Sequence, residues 1–245
     1  MTSAFWAVYL REILIMKRRI LRQSASMAVS PLLYVVAFGC ALGAAVKVGD
    51  RSYLEFLIPG LAAMASMTQA FAIATEINVA RFYFFAFEEF QAAPVSPFSY
   101  VLAETLAGVT KALYAVLIVL IIALLFGTRL NYGPAFWGAL LLNSFSFAAL
   151  AVALAMLVKS HADQSLLTAF VITPMAFLGG TFFPVDALPA WASAILRFLP
   201  LTHAADAARA GAFGLPPSPL PFIILACCSL VFFSLALSTV KKARN

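Results

Sequence analysis

Residues 107–127 read AGVTKALYAVLIVLIIALLFG. As a helix, this run with its single charge, Lys111, rises about 32 Å at 1.5 Å per residue, enough to cross a hydrocarbon layer ~30 Å thick. It does not alternate polar and apolar residues as a barrel strand does. In lipid, a helix satisfies its backbone amides within its own segment. The stretch is read as a spanning helix, and the rest of the chain is organised by finding its equivalents.

Five more apolar runs qualify, at 26–46, 56–77, 135–158, 165–183 and 219–240. Turn signals separate several of them, among them Asn131-Tyr132-Gly133-Pro134 and Pro216-Pro217-Ser218-Pro219. The expectation is one all-α polytopic membrane domain over residues 1–245 with six transmembrane helices. Composition agrees, with 64% of the 245 residues hydrophobic and 11% charged and a mean hydropathy of +0.99. A soluble domain is about a quarter charged. That contrast excludes a soluble enzyme, an isolated binding domain and a disordered chain.

The net charge is +6 and the pI about 9.4. Basic residues cluster beside the apolar runs, so the charge is read as topology and lipid contact, with no nucleic-acid partner. Arg11, Lys17, Arg18, Arg19, Arg22, Arg81, Lys159, Lys241, Lys242 and Arg244 fall on one side of a six-span arrangement. Lys47, Arg51, Arg129, Arg197 and Arg209 fall on the other. Ten against five puts both termini in the cytoplasm, with the spans in the cell's inner membrane. Cys40, Cys227 and Cys228 lie in apolar segments with no metal or redox spacing, so no metal is expected.

Three amphipathic pieces lie outside the spans. In residues 1–25, Phe5, Tyr9, Ile13, Met16 and Ile20 recur at helical steps, with Arg11, Arg18 and Arg22 opposite. This predicts a helix in the cytoplasmic interface with its arginines toward headgroups or a partner, or else a helix packed on another protein domain. Residues 80–91 form an aromatic and acidic helix that Pro94 stops. It serves either as a docking knob for another protein or as a plain link between spans. Residues 184–213 hold two helical stretches too short to span, predicted as a re-entrant or interfacial hairpin with Thr202 capping the second.

Catalytic signatures are missing. No glycine directly precedes a lysine, so no phosphate-binding GxxxxGK[ST] loop exists, and HExxH and GxSxG are absent. The chain is therefore expected not to hydrolyse ATP and to bind no cofactor. Glu76, Glu104 and Lys111 lie in or near the second and third spans, with Glu104 and Lys111 seven apart on one helix face. They are read as an intramembrane relay or as groups near the interface, with Lys111 snorkelling. Gly39 and Gly43 form a GxxxG pattern that suits close helix contact, between two copies or within one.

Taken together, three stretches resemble the membrane permease subunit of type-2 ABC exporters, the family of drug, lipid and polysaccharide or lipo-oligosaccharide exporters. They are Tyr53-Leu54-Glu55-Phe56-Leu57-Ile58-Pro59-Gly60-Leu61, Phe87-Glu88-Glu89-Phe90-Gln91-Ala92-Ala93-Pro94, and Thr173-Pro174 through Gly179-Gly180-Thr181-Phe182-Phe183-Pro184 to Leu199-Pro200-Leu201-Thr202. They follow the family's order and spacing, and the resemblance covers nearly the whole chain.

The resemblance implies six spans, an N-terminal connecting helix, a cytoplasmic coupling helix and a re-entrant hairpin before the sixth span. It implies two paired permease copies and two separate ATPase subunits, which bind the ATP and Mg. The coupling-helix residues Arg81, Phe87, Glu88, Glu89 and Phe90 would meet the ATPase, and the first, second and fifth spans would line the path. The cargo expected from the sparse charge in the spans is amphipathic, lipid-linked or drug-like. An ion-coupled secondary transporter is the rival reading, resting on Glu76, Glu104 and Lys111.

Overall fold

The computed structural model describes residues 2–40, 46–83 and 95–244. Helix α1 (Thr2–Arg18) leads into α2 (Ile20–Tyr34), which continues as a π-helix over Val35–Cys40. A two-residue ribbon, β1 (Lys47–Val48) and β2 (Arg51–Ser52), precedes α3 (Tyr53–Phe71) and α4 (Ile73–Phe82). Then come α5 (Pro97–Leu125), α6 (Pro134–Leu157) and α7 (His161–Leu167), a π-helical turn over Thr168–Ile172, and α8 (Thr173–Leu178). Short helices α9 (Ala190–Leu196) and α10 (Pro200–Ala212) precede α11 (Pro219–Arg244).

Local chemistry sets several starts. Ser52 and Glu55 form a capping box at α3, the Ser52 hydroxyl accepting from the Glu55 amide at 3.3 Å and the Glu55 carboxylate from the Ser52 amide at 3.0 Å. Ser96 caps α5 ahead of Pro97, whose missing amide costs nothing in the first turn. Ser160 caps α7.

The core is built on small residues. Helix α6 packs against α3, α5, α10 and α11, and its buried face includes Ala139, Ala148, Ala149, Ala151, Ala153 and Ala155. Where lipid removes the hydrophobic drive between helices, such residues let backbones approach closely. At Gly108 of α5, a Cβ would lie 2.8 Å from Ala148 Cβ and 3.2 Å from Ala70 O. Hydrogen bonds add to this packing: Asn143 donates to Ala63 O at 3.1 Å and Ser66 Oγ at 2.8 Å, and Ser146 meets Ser229 at 2.7 Å.

Contacts define two ends of the bundle. At one, the hairpin end, Asn131 donates to Ala212 O and Phe38 packs on Phe182. At the other, the connection end, α4 ends at Phe82 and α5 begins at Pro97. The stretch His161–Leu178 runs between these two ends, through Gln164 against Asn78 and Phe177 against Phe182.

Among the described residues five helices are long and apolar enough to cross a membrane: Ile20–Gly39, Tyr53–Phe82, Pro97–Leu125, Pro134–Leu157 and Pro219–Ala243. The expected fifth run, 165–183, is not one of them. Its helix begins at His161, carries Asp163 and Gln164 in its first turns, and stops before Gly180, whose φ is +77°. Other boundaries also shift. The interfacial helix ends at Arg18, since Arg19 turns to φ −114°, ψ 15°, and the next helix starts six residues before Ser26. Ser24 enters that helix by donating its hydroxyl to Ile20 O at 2.6 Å. Thr202 is not a cap: α10 begins at Pro200, and the Thr202 hydroxyl donates to Leu196 O at 2.8 Å. The coupling-helix residues Phe87, Glu88, Glu89 and Phe90, and Gly43 of the GxxxG pattern, lie outside the described residues.

The packing at Gly108 makes a test. Gly108→Val overfills the junction of α3, α5 and α6 and should cost about 1–3 kcal/mol, lowering the melting temperature of detergent-purified protein by several degrees. Gly138→Ala, where a Cβ meets Phe222 at an ordinary 3.6 Å, should not lower it, since alanine is the better helix former.

Candidate functional site

Between α2, the α3–α4 rod and the broken helix 161–178 lies a cavity of about 300 Å³. Its lining mixes hydroxyls from Ser30, Thr68, Thr75, Thr168 and Thr173 with Tyr34, Met64, Phe71 and Phe177, and holds no charged side chain among the described residues. Three of the threonines donate to their own helices: Thr68 to Ala65 O at 3.2 Å, Thr168 to Gln164 O at 3.0 Å and Thr173 to Thr168 O at 3.1 Å. Their donors being used locally, these walls offer acceptor lone pairs and methyl groups. The π-helical turn forms part of one wall, an element often found at functional sites.

The cavity is closed differently at its two ends. At the hairpin end Tyr34, Phe38, Phe177 and Phe182 interlock, with ring centroids 5.1 Å apart for Tyr34–Phe182 and 5.5 Å for Phe177–Phe182. Tyr53 donates to Phe182 O at 2.8 Å. Beside them the buried Arg209 of α10 donates from Nε to Phe56 O at 3.2 Å and from Nη2 to Thr181 O at 3.1 Å, and also bonds Gly180 O. Its guanidinium lies 3.9 Å from the Phe56 ring centre, and Asp206 is 3.5 Å away at the surface. Burial pulls the Arg209 pKa down to about 10, so the group stays charged near neutral pH. Gly60 leaves the room this needs: a Cβ there would lie 2.6 Å from the guanidinium.

At the connection end, one turn beyond the lining, the side-chain hydrogen bond between α4 and α7 is a neutral one. Asn78 Nδ2 donates to Gln164 Oε1 at 3.1 Å, both residues being almost wholly buried. Asn78 Oδ1 and Gln164 Nε2 have no partner among the described residues. A bond of this kind in a membrane contributes about 0.6 kcal/mol, whereas hydrogen bonds from a charged donor contribute about 1.5–3 kcal/mol each. The hairpin end is therefore held much more firmly.

The predicted intramembrane ions form a second feature. Lys111, 3% exposed, does not snorkel. Its ammonium pairs with Glu76 of α4 and lies 3.4 Å from Glu12 of α1. Arg11 pairs with Glu12 at 2.7 Å and with the wholly buried Glu104 at 3.1 Å. Glu104 Oε2 has no partner among the described residues. Burial opposes the Arg11 charge, but Glu104 and Glu12 outweigh it and raise the group above the ordinary arginine value. Arg11 thus turns inward, against expectation, while Arg18 and Arg22 stay exposed. The break at Arg19 takes Arg22 off the face that carries Arg11; Arg18, in the last turn of α1, lies beyond the reach of Glu12 and Glu104.

Two further placements bear on the sequence reading. Arg81, expected at an ATPase contact, donates to Ala155 O in the last turn of α6, where orphan carbonyls attract a cation. The space beside Gly39 is filled within the chain, since a Cβ would lie 2.6 Å from Leu54 Cδ1. Glu12, Asn78, Gln164 and Arg209 were missed as site residues. Only Glu12 left a signal: it is the one acid among the first 49 residues, set in a basic helix.

Comparison with known proteins bears on this arrangement. The sequence profile described as ABC-2 type transporter matches residues 3–213. The inner membrane transport permease YadH of Escherichia coli (strain K12) is 28% identical over 224 residues, covering 87% of this chain and 85% of that protein. Nodulation protein J of Rhizobium meliloti (strain 1021) is 30% identical over 252 residues, covering 98% and 92%.

The ion cluster makes a stability test. Lys111→Met leaves carboxylates facing each other in a buried site and should destabilise the protein by about 3–5 kcal/mol. Lys111→Met with Glu12→Gln should recover part of that loss in thermal unfolding. A double variant no more stable than the single one would show that the pair does not carry this energy.

Proposed function

The chain belongs to the ABC-2 type transporter family, and on that premise we propose that it is the permease of an ATP-driven exporter in the inner membrane, working as two copies with two separate ATPase subunits. ABC-2 permeases are the membrane component and work with separate ABC ATPase subunits. The observation that carries the reading is the uncharged, hydroxyl-lined cavity between the first span, the second span and the 161–178 helix. A second copy facing this cavity completes a path. The cargo that fits such walls is amphipathic or lipid-linked, with apolar surface for Met64 and Phe71 and donors for the threonine oxygens.

In this reading residues 161–178 are the sixth crossing. The helical stretch rises about 27 Å and runs from the Asn78 end of the bundle to the Phe182 end. Six crossings put both termini on the cytoplasmic side, as the ten-to-five basic bias requires. The hairpin of α9 and α10 then sits at the outer face, with Trp191, Ile195 and Phe198 exposed for the lipid interface.

The force from the ATPase enters at the connection end. Glu88 and Glu89 in the 80–91 segment are the proposed grip. Glu76 of α4 and Glu104 of α5 flank the connection in sequence, and both join α1 through Lys111 and Arg11. This cluster gives α1 and the stems of the connection a common anchor. Its carboxylates are engaged by cations, which supports a structural linkage over the relay that an ion-coupled transporter requires.

Co-expression with the ATPase encoded beside this gene tests the reading. The ATPase should co-purify, and Glu88→Lys with Glu89→Lys should weaken its retention at least ~tenfold. Failure of the native chain to retain any ATPase would refute the proposal. Alkaline phosphatase fused after Gly214 should be active, and fused after Ser160 inactive. Activity at both positions or at neither would exclude the sixth crossing.

A further inference from the structure

The helix 161–178 is fastened to the second span at both ends, and the two fastenings are built for different tasks. At the hairpin end a buried cation holds backbone carbonyls from two elements, Phe56 O on α3 and Gly180 O and Thr181 O after α8. Backbone carbonyls cannot rotate away, and a buried guanidinium stripped of them would keep only the more distant Asp206 and the Phe56 ring. At the connection end one amide meets one amide, each with a polar atom that has no partner among the described residues. Breaking that contact exposes groups that water satisfies at once.

Between the two ends lies the π-helical turn Thr168–Ile172. The Thr173 hydroxyl donates to Thr168 O across it at 3.1 Å. Wide turns of this kind are where helices bend. The cavity begins one turn from the weak contact, at Thr75 on one side and Thr168 on the other. The second span is fixed at this end through Arg81 on Ala155 O and Glu76 on Lys111. The element left free to swing is therefore α7.

We infer that the Asn78–Gln164 pair is a releasable latch on the ATPase side of the cavity, and that Arg209 is the fixed pin that holds the far end of the 161–178 helix while α7 swings. The inference rests on the transport reading above and names two positioning residues that open and close that path. ATPase movement at the connection parts the amides, α7 bends away at the π-turn, and the cavity opens toward the cytoplasm. The aromatic cluster stays shut while Arg209 holds Gly180 and Thr181.

The test uses the assembled permease–ATPase complex in lipid nanodiscs, read by hydrogen–deuterium exchange over residues 161–172. Nucleotide-free and ATP–vanadate-trapped complexes should differ there. Asn78→Ala and Gln164→Ala should each speed exchange in the more protected of the two states by about three- to tenfold. The double variant should match either single one, because both remove the same contact. In a chain with Cys40, Cys227 and Cys228 replaced by Ala, Asn78→Cys and Gln164→Cys are then joined by a short bismaleimide after assembly. Bridging should abolish the nucleotide-dependent difference, with the unbridged complex as the folding control. A bridged complex that keeps the difference overturns the latch while leaving the transport reading intact. Failure of the native chain to hold an ATPase overturns both.

Discussion

Lys111 places a positive charge at the head of the apolar run 107–127, and that charge dictates where other elements lie. An isolated ammonium in hydrocarbon is unaffordable, so carboxylates must come to it. Glu12 and Glu76 do so from α1 and α4. The first helix is thereby moored to the bundle instead of drifting on the membrane surface, and Tyr9 strengthens the mooring through Thr110 at 2.9 Å. Replacing such a cluster with apolar residues of similar volume often stabilises a protein. Its value here is geometric: it fixes α1 against the second and third spans close to where the connection between them departs.

A second constraint divides the bundle into a rigid and a yielding part. Around α6, alanines and Gly108 bring backbones into contact, and Asn143 and Ser146 bond across helices. Such packing has no slack, because any separation loses contacts on all sides. The helix 161–178 lacks it. Phe170 and Val171 are exposed, and the π-turn interrupts its hydrogen-bond ladder. A conduit needs both properties, a frame that resists deformation and a wall that yields.

The six apolar runs were legible because lipid demands long helices, and a window of some twenty residues contains that whole signal. Five of them appear as helices of spanning length and composition. The run at 165–183 was harder, since its helix begins four residues earlier in polar sequence, at His161 and Asp163. The contacts that shape the cavity were not legible. Phe56 and Arg209 are 153 residues apart, Asn78 and Gln164 are 86 apart, and Lys111 and Glu12 are 99 apart. No spacing rule links positions that meet only through tertiary packing. Arg209 was counted as a topological charge on the outer side, a reading that its burial does not contradict but that missed its role. Arg81, read from the sequence as a partner contact, also serves its own chain's α6, a bond no spacing rule foretells.

The absence of charge from the described cavity walls bears on how a path of this kind works. A site that bound its cargo through fixed ions would have to desolvate and resolvate them at every opening, with a penalty of several kcal/mol per ion. Hydroxyls already bonded to their own helices change little when water arrives, because their donors stay occupied and only lone pairs exchange partners. Thr68, Thr168 and Thr173 are of this type. For the amphipathic cargo proposed above, such walls would hold weakly, and weak holding lets a cargo leave once the far side opens. The buried charges, by contrast, stand outside the cavity lining, in the α1 anchor and at Arg209, where each is matched by fixed partners.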